Sequence, residues 1–177
     1  MMPLPRAPDR LPDEMATALG HAVAAFGFLE EALKRAIFSL TRKGLGHDAQ
    51  DDALHAWLRR MEEIADDSLG TLIDSFLAAA RRGDAVGGDG ADVGPLPKTL
   101  PDLRRLRNLL CHASWRPGAQ PGLWHPTFIN TRGQRHPHDM SADDVLQIRD
   151  RTLAAARQVV GVMRQTGIDG EWAGTDA

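Results

Sequence analysis

The 177-residue sequence has few cysteine and aromatic residues, and these shortages limit what the protein can be. A single cysteine, Cys111, excludes an internal disulfide bond and is typical of a reducing compartment such as the cytoplasm. No apolar run is long enough to cross a membrane, and residues 1–6 lack the hydrophobic segment of a signal peptide. We therefore expect a cytoplasmic protein without a membrane segment.

The motifs of several large enzyme classes are also missing. The chain has no phosphate-binding loop ending in Gly-Lys, no dinucleotide-binding fingerprint and no Gly-x-Ser-x-Gly turn. A Gly/Asp-rich stretch at 83–97 lacks the alternating acids and the final Glu of a calcium loop, so it predicts a flexible loop. With 42% hydrophobic and 25% charged residues, the composition is that of a globular domain. We expect it to use no cofactor.

Charge is unevenly distributed along the chain. The net charge is −3, yet residues 98–135 hold seven basic residues and one acid, a net +6, which leaves −9 for the remainder. A local positive field on an acidic protein is compatible with one focused phosphate site and argues against binding along the whole of a nucleic acid. The basic residues of this segment are Lys98, Arg104, Arg105, Arg107, Arg116, Arg132 and Arg135, and the acid is Asp102.

Residues 99–113 predict a helix that carries an Arg and a His near its end. Thr99 and Asp102 form a capping pair at its start, and the helix stops before Pro117. At about 100° per residue, such a helix separates an apolar face from a basic one. The apolar face holds Leu103, Leu106, Leu110 and Ala113, and the basic face holds Arg104, Asn108 and His112 with Arg105, Arg107 and Cys111 beside them.

A cluster of arginines around a histidine suits phosphodiester chemistry. Guanidinium groups bind phosphate oxygens in a fork, and an imidazole can give or take a proton near neutral pH. A structural explanation stays open, because arginines near a helix C-terminus favour the helix dipole and His112 could cap the last carbonyl groups. Nothing in the sequence marks Cys111 as activated, so we expect it to be a small packing residue.

The order Arg107, Asn108, three further residues and His112 resembles the signature of the HEPN family of small helical-bundle proteins. That signature is an Arg, four to six residues and then a His, often with an Asn directly after the Arg. The Ala-Ser-Trp that follows His112 here is in keeping with family members. Many members are metal-independent ribonucleases, often toxins or antiviral effectors, that build their site across a homodimer.

The resemblance implies an endoribonuclease in which His112 is the general base or acid, Arg107 holds the scissile phosphate and Asn108 has a supporting role. An Arg and a His five residues apart point about 140° away from each other on a helix, so we expect a homodimer to complete the site. An antitoxin or regulatory partner would fit a toxin. Some toxins of the family have a modified Tyr two residues after the His, but Ser114 stands there, which argues against that form of neutralisation.

A long first helix is predicted from Asp13 to about Arg42, with an acid, Glu30, on its apolar stripe. Family members often carry a Glu in this helix, so the resemblance implies that Glu30 pairs with the Arg or the His of the motif. The alternative, which we favour, is an edge salt bridge from Glu30 to Lys34 one turn later. The stripe is formed by Leu19, Val23, Phe26, Leu33, Ile37 and Leu40.

The complete sequence predicts an all-α fold, an antiparallel bundle of four to five helices with a small appended β-hairpin. A second helical region covers 51–82 with a break or kink near 66–70, and a last helix starts at the capping box of Ser141 and Asp144. The apolar residues of 54–64 are expected in the core. The domain covers 13–167, between an arm at 1–12 and a tail at 168–177.

The hairpin is predicted within 115–138, with an alternating strand at 123–130 and a turn at Arg132 and Gly133. Pro126 restricts this strand to a sheet edge. His136 and His138 would share one strand face as a candidate metal pair, but no third ligand is close in sequence, so we favour polar or RNA-contacting roles for them and for His125. The candidate substrate-binding residues are Arg104, Arg105, Arg116, Arg132 and Arg135.

Two functions remain open at this point, besides a structural role in which the motif is a coincidence. The chain is a HEPN-type endoribonuclease, or it is a non-catalytic HEPN-like module that binds a protein, a nucleotide or RNA through the same basic groove. In the second case Arg107 and His112 would hold the bundle or the dimer together, and replacing them would unfold the protein. Cleavage of RNA in the presence of a chelator separates the two possibilities.

Overall fold

The computed structural model describes residues 10–45, 51–82, 90–128 and 136–167. These residues form a mostly helical protein with a small two-stranded antiparallel sheet, which confirms the predicted fold class. No helix among them is long and apolar enough to cross a membrane. In chain order the elements are α1 (Asp13–Gly44), α2 (Asp51–Ala65), α3 (Leu69–Arg81), α4 (Leu96–His112), β1 (Ser114–Pro117), β2 (Trp124–Thr127) and α5 (Ala142–Arg164).

The chain divides into two compact units. The first, which we call the hairpin unit, combines Met1–Phe26 with Arg105–Thr152 and contains both strands. The second, the helical unit, combines Gly27–Arg104 with Leu153–Ala177 and contains α2 and α3. The divisions between the units fall inside α1, α4 and α5, so the Arg-to-His motif belongs entirely to the hairpin unit.

Helix α1 begins at Asp13, as predicted, and buries a stripe that is richer in alanine than expected. Phe26, Leu33, Ile37 and Leu40 are buried as predicted, but Val23 is 47% exposed, so its assignment to the core was wrong. Hydropathy underestimates how often small residues are buried, because alanine offers little apolar surface but lets a helix pack closely against its neighbours. The alanines of the buried stripe are Ala18, Ala22, Ala25, Ala32 and Ala36.

The break predicted in the second helical region is confirmed. Helix α2 ends at Ala65, whose carbonyl accepts a hydrogen bond of 2.6 Å from Lys34 Nζ. Ser68 then caps α3 by accepting a bond of 3.3 Å from the Thr71 amide. The expected core face of α2 was wrong in extent, because Ile64 alone is buried there. Trp57 is half-buried, and its ring centroid lies 4.8 Å from that of Phe38.

Helix α4 starts earlier than the predicted capping pair. It begins at Leu96, and Thr99 lies inside it with its hydroxyl donating to the Pro95 carbonyl at 3.2 Å. The predicted loop at 83–97 is therefore wrong at its end, whereas residues 83–89 lie outside the described residues. The helix starts at 96 because Leu96, Leu100 and Leu103 share one face and are fully buried.

The segment just before α4 is held by a side chain from far along the chain. The Gln165 amide both accepts from the Asp92 N–H and donates to its carbonyl, each at 3.0 Å. The Asp92 carboxylate in turn accepts from the Gly94 amide at 3.0 Å. These bonds satisfy the backbone of a stretch that composition alone predicts to be a flexible loop.

The hairpin exists, but its turn is not where the sequence suggested. Strands β1 and β2 pair antiparallel, with Trp115 opposite Pro126, and the connection runs through 118–123. The predicted turn at Arg132 and Gly133 lies outside the described residues. The other edge of β2 is bridged by Met140, whose amide and carbonyl both bond Trp124 at 2.8 Å.

Helix α5 follows this bridge directly and has the predicted capping box. The Asp144 amide donates to Ser141 Oγ at 3.1 Å, and Asp144 Oδ2 accepts from the Ser141 amide at 2.8 Å. The backbone N–H of Ser141, followed by the Ser141 hydroxyl, which also donates to Asp144 Oδ2 at 2.8 Å, lowers the pKa of the Asp144 carboxyl. The hairpin is therefore joined to the start of a well-capped helix.

Candidate active site at the end of α4

The Arg-to-His motif occupies the last turns of α4 and leads directly into β1. His112 is the last residue of the helix and is exposed, and Arg107 and Asn108 are half-buried. Leu109 and Leu110 are buried beneath them, 4% and 5% exposed, and anchor this end of the helix. The Ala113 amide donates to the Leu109 carbonyl at 2.9 Å, so the helical hydrogen bonding continues to the junction with the strand.

Three further residues of α4 were singled out in the sequence, Cys111 as a packing residue and Arg104 and Arg105 as substrate-binding residues. Cys111 is exposed, so the expectation that it is a small packing residue is wrong. Arg104 belongs to the helical unit, and its side chain lies over Gly70, where a Cβ would be 3.2 Å from Arg104 Cδ and Nη1. Arg105 is exposed in the hairpin unit.

The proposed partner of the motif on α1 lies in the helical unit. Glu30 is half-buried, as expected for the edge of an apolar stripe. Lys34, its expected i+4 partner, donates to the carbonyl of Ala65. The pairing of Glu30 with Arg107 or His112, implied by the resemblance, stays a prediction.

A cleft of about 540 Å³ adjoins the segment that follows His112. Ala113, Ser114 and Trp115 form one wall. The other wall comes from the start of α1, where Arg10 and Asp13 form an exposed ion pair at 3.2 Å. The cleft therefore gives the neighbourhood of His112 a concave surface within the hairpin unit.

A second cluster of polar residues lies at the hairpin. It is centred on Asp139, which the sequence did not reveal as a candidate. His125 Nδ1 lies 2.8 Å from Asp139 Oδ1, and Asp139 Oδ2 accepts a bond of 2.8 Å from the Ala119 amide. The Ala119 N–H, followed by the His125 contact, lowers the pKa of the Asp139 carboxyl from its ordinary 3.8. The stabilisation from this pair is therefore complete above the ordinary pKa and is lost as the pH falls through the lowered one.

The two histidines near Asp139 do not share a strand. His136 and His138 lie in an irregular segment, with ring centroids 6.2 Å apart and planes nearly perpendicular. Burial, followed by the charges of His138 and His125, lowers the pKa of His136. Among the residues that the structure describes, no group of three or more His, Cys, Asp or Glu could hold a metal ion. The remaining predicted substrate residues, Arg132 and Arg135, lie outside the described ranges.

Gly118 allows the Asp139 carboxylate to approach the hairpin backbone. Replacing this glycine by alanine should therefore destabilise the fold, unlike the same change at an open position. A Cβ at Gly118 would be 2.6 Å from Asp139 Oδ2 and 2.8 Å from the Leu123 carbonyl oxygen. Gly118→Ala is therefore expected to lower the free energy of unfolding by about 1–3 kcal/mol, measured by urea denaturation.

Gly20 in α1 is the matched control for this change. It is exposed and has nothing within 4 Å of a built Cβ, so Gly20→Ala is expected to raise the free energy of unfolding by about 0.5–1 kcal/mol. Equal effects of the two substitutions would contradict the close approach of Asp139 to Gly118.

Comparison with known proteins gives no independent evidence about the motif. The resemblance to the HEPN signature is carried by Arg107, Asn108 and His112 and by their place at the end of a helix. No protein-family model, no curated protein and no solved structure matches this chain.

Proposed function

We propose that this protein is a metal-independent endoribonuclease of HEPN type. One observation carries the proposal: an exposed His112 ends α4 five residues after a half-buried Arg107, on a helix end anchored by buried leucines. A guanidinium held by its surroundings and an imidazole open to solvent suit the two tasks of phosphodiester cleavage, which are to hold the phosphate and to move protons.

The reaction uses the 2′-hydroxyl of the RNA itself as the nucleophile. The 2′-oxygen forms a bond to phosphorus, the bond from phosphorus to the 5′-oxygen of the next nucleotide breaks, and a 2′,3′-cyclic phosphate remains. The 2′-hydroxyl loses its proton and the leaving 5′-oxygen gains one; His112 carries out one of these two transfers and water carries out the other. Arg107 binds the non-bridging oxygens and stabilises the charge that develops on them, and Asn108 helps to orient these groups.

A second copy of the chain completes the site in this proposal. On one helix the side chains of Arg107 and His112 diverge by about 140°, so one copy cannot close both on the same phosphate. A two-fold axis brings the same face of two chains together and supplies the missing partner for each. A toxin or defence effector with a regulatory partner is the physiological setting that the resemblance suggests.

The test compares wild type with His112→Ala on a mixed-sequence RNA in excess EDTA. We expect the wild type to cut and to leave cyclic-phosphate ends, and the variant to remain folded and inactive. Circular dichroism and size in solution are measured on both proteins. If neither protein cuts, or if both cut alike, catalysis at this motif is refuted. A wild type that binds RNA without cutting it, together with loss of the fold in His112→Ala, would then support the binding module.

A further inference from the structure

The open face of the hairpin places an arginine next to a histidine. Side chains alternate along a strand, so Arg116 and His125, which are direct partners in the register, point to the same face. The Cβ atoms of such a pair lie about 4.5–5.5 Å apart. Both residues are half-buried, whereas Trp115 and Pro126 on the opposite face are buried. The hairpin therefore turns its apolar side inward and presents this pair outward.

Asp139 determines the chemical state in which His125 is presented. An ionised carboxylate can only accept hydrogen bonds, so the bond of 2.8 Å to Asp139 places the proton on Nδ1 of His125. Nε2 is left to meet a ligand, on a side chain that is 38% exposed.

The carboxylate itself is held by the backbone, so the pair is a built feature of the hairpin. Asp139 Oδ2 accepts from the Ala119 amide, and Gly118 leaves the space that this approach requires. The bridge between Met140 and Trp124 holds the residue after Asp139 beside β2. One hydrogen bond, the space at Gly118 and the adjacent bridge therefore position a carboxylate that the mechanism at His112 does not use.

The charge around this face favours an anion. The described residues 114–128 and 136–140 contain one arginine, three histidines and a single acid, Asp139, which is already bonded to His125 and Ala119. Binding of a metal cation has no support there, because no group of ligands in the described residues has the required arrangement. The Arg116 guanidinium, with an imidazole beside it, is suited to the oxygens of a phosphate group.

We propose that Arg116 and His125, with Asp139 as positioning residue, form a second phosphate subsite that binds RNA next to the scissile phosphate. Arg116 is four residues after His112, so their Cα atoms are at most about 14 Å apart, a distance that adjacent nucleotides can bridge. This subsite rests on the proposed function for its place along the RNA. Its ability to bind a phosphate group depends only on the hairpin.

The test measures RNA binding in chains that do not cut. In a His112→Ala background, the dissociation constant for a fluorescein-labelled single-stranded RNA 12-mer is measured by anisotropy at several salt concentrations. Arg116→Ala and His125→Ala are each expected to weaken binding by about 5- to 10-fold, and Arg116→Ala is also expected to reduce the salt slope by about 0.7, the loss of one charged phosphate contact. Arg157→Ala, which removes an exposed arginine from α5, is the control and should change binding less than 2-fold.

Asp139→Asn tests the positioning role, because the two explanations of Asp139 predict opposite changes in RNA affinity. Removing a negative charge would tighten RNA binding if Asp139 acted only through the local field. If Asp139 orients His125, binding weakens by several-fold while the melting temperature stays near that of the background. Tighter binding therefore refutes the positioning role, and a parallel NMR measurement of the His125 ring nitrogens reports its tautomer directly.

The outcomes separate this subsite from the proposed function. If the wild type cuts RNA but Arg116→Ala and His125→Ala bind like the Arg157→Ala control, the subsite is refuted and the ribonuclease stands. If the wild type does not cut but both hairpin variants lose binding, the subsite stands and catalysis is refuted. Absence of RNA binding in the folded background chain refutes the subsite.

Discussion

An equal mixture of Arg107→Ala and His112→Ala chains is expected to cleave RNA at about a quarter of the wild-type rate, although each variant alone should lose about 10²–10⁴-fold. If each site takes its arginine from one chain and its histidine from the other, a mixed dimer has one complete site and one empty site. Random pairing makes about half of the dimers mixed, and half of their sites are complete. The two chains are co-expressed with different tags so that mixed dimers can also be purified.

A double variant supplies the control for this experiment. Pairing Arg107→Ala with the chain that carries both substitutions leaves no site with an arginine and a histidine, so no activity should return. If the first mixture stays inactive while both variants are folded dimers, the division of the site between two chains is wrong. A wild-type chain that cuts RNA as a strict monomer would contradict it as well.

Phe76→Ala is expected to lower the free energy of unfolding by about 3–5 kcal/mol. Phe76 lies on α3 and is completely buried, so truncation removes a large apolar side chain and leaves a cavity that a packed interior fills poorly. A domain is stable by only about 5–15 kcal/mol, so this single change removes a large part of the total. Urea denaturation followed by circular dichroism gives the midpoint and slope.

Phe38→Ala is the matched control, since it removes the same atoms from a side chain that is 44% exposed. Its main loss is the contact with the Trp57 ring, so about 1 kcal/mol is expected. If Phe76→Ala does not fold, Phe76→Leu keeps most of the volume and should cost less than about 1.5 kcal/mol. Equal costs for the changes to alanine at 76 and 38 would contradict the burial of Phe76.

The site is predictable from sequence to the extent that it is local. Arg107, Asn108 and His112 fall within two turns of one helix, so spacing alone places them together near its C-terminal end. Asp139 could not be found in this way, because its partner His125 is 14 residues away and the contact depends on the hairpin register. The only sequence signal was Gly118, a small residue at a point where the backbone is approached closely.

The sequence by itself determined the elements whose cause lies within a few residues. The start of α1 at Asp13, the break at 66–68 and the capping box of Ser141 and Asp144 each follow from local hydrogen bonding and periodicity, and each is confirmed. Such features need no knowledge of the rest of the chain, because the groups that stabilise them are one turn apart.

The tertiary structure decided which surfaces are buried and where distant segments meet. Val23 and Leu58 have the periodicity of core residues yet are 47% and 44% exposed, since burial depends on which elements pack against a helix. The backbone of Asp92 is satisfied by Gln165, 73 residues later, in a stretch whose composition predicts a loop. Contacts of this kind form only when the folded chain brings remote groups together, so local patterns cannot specify them.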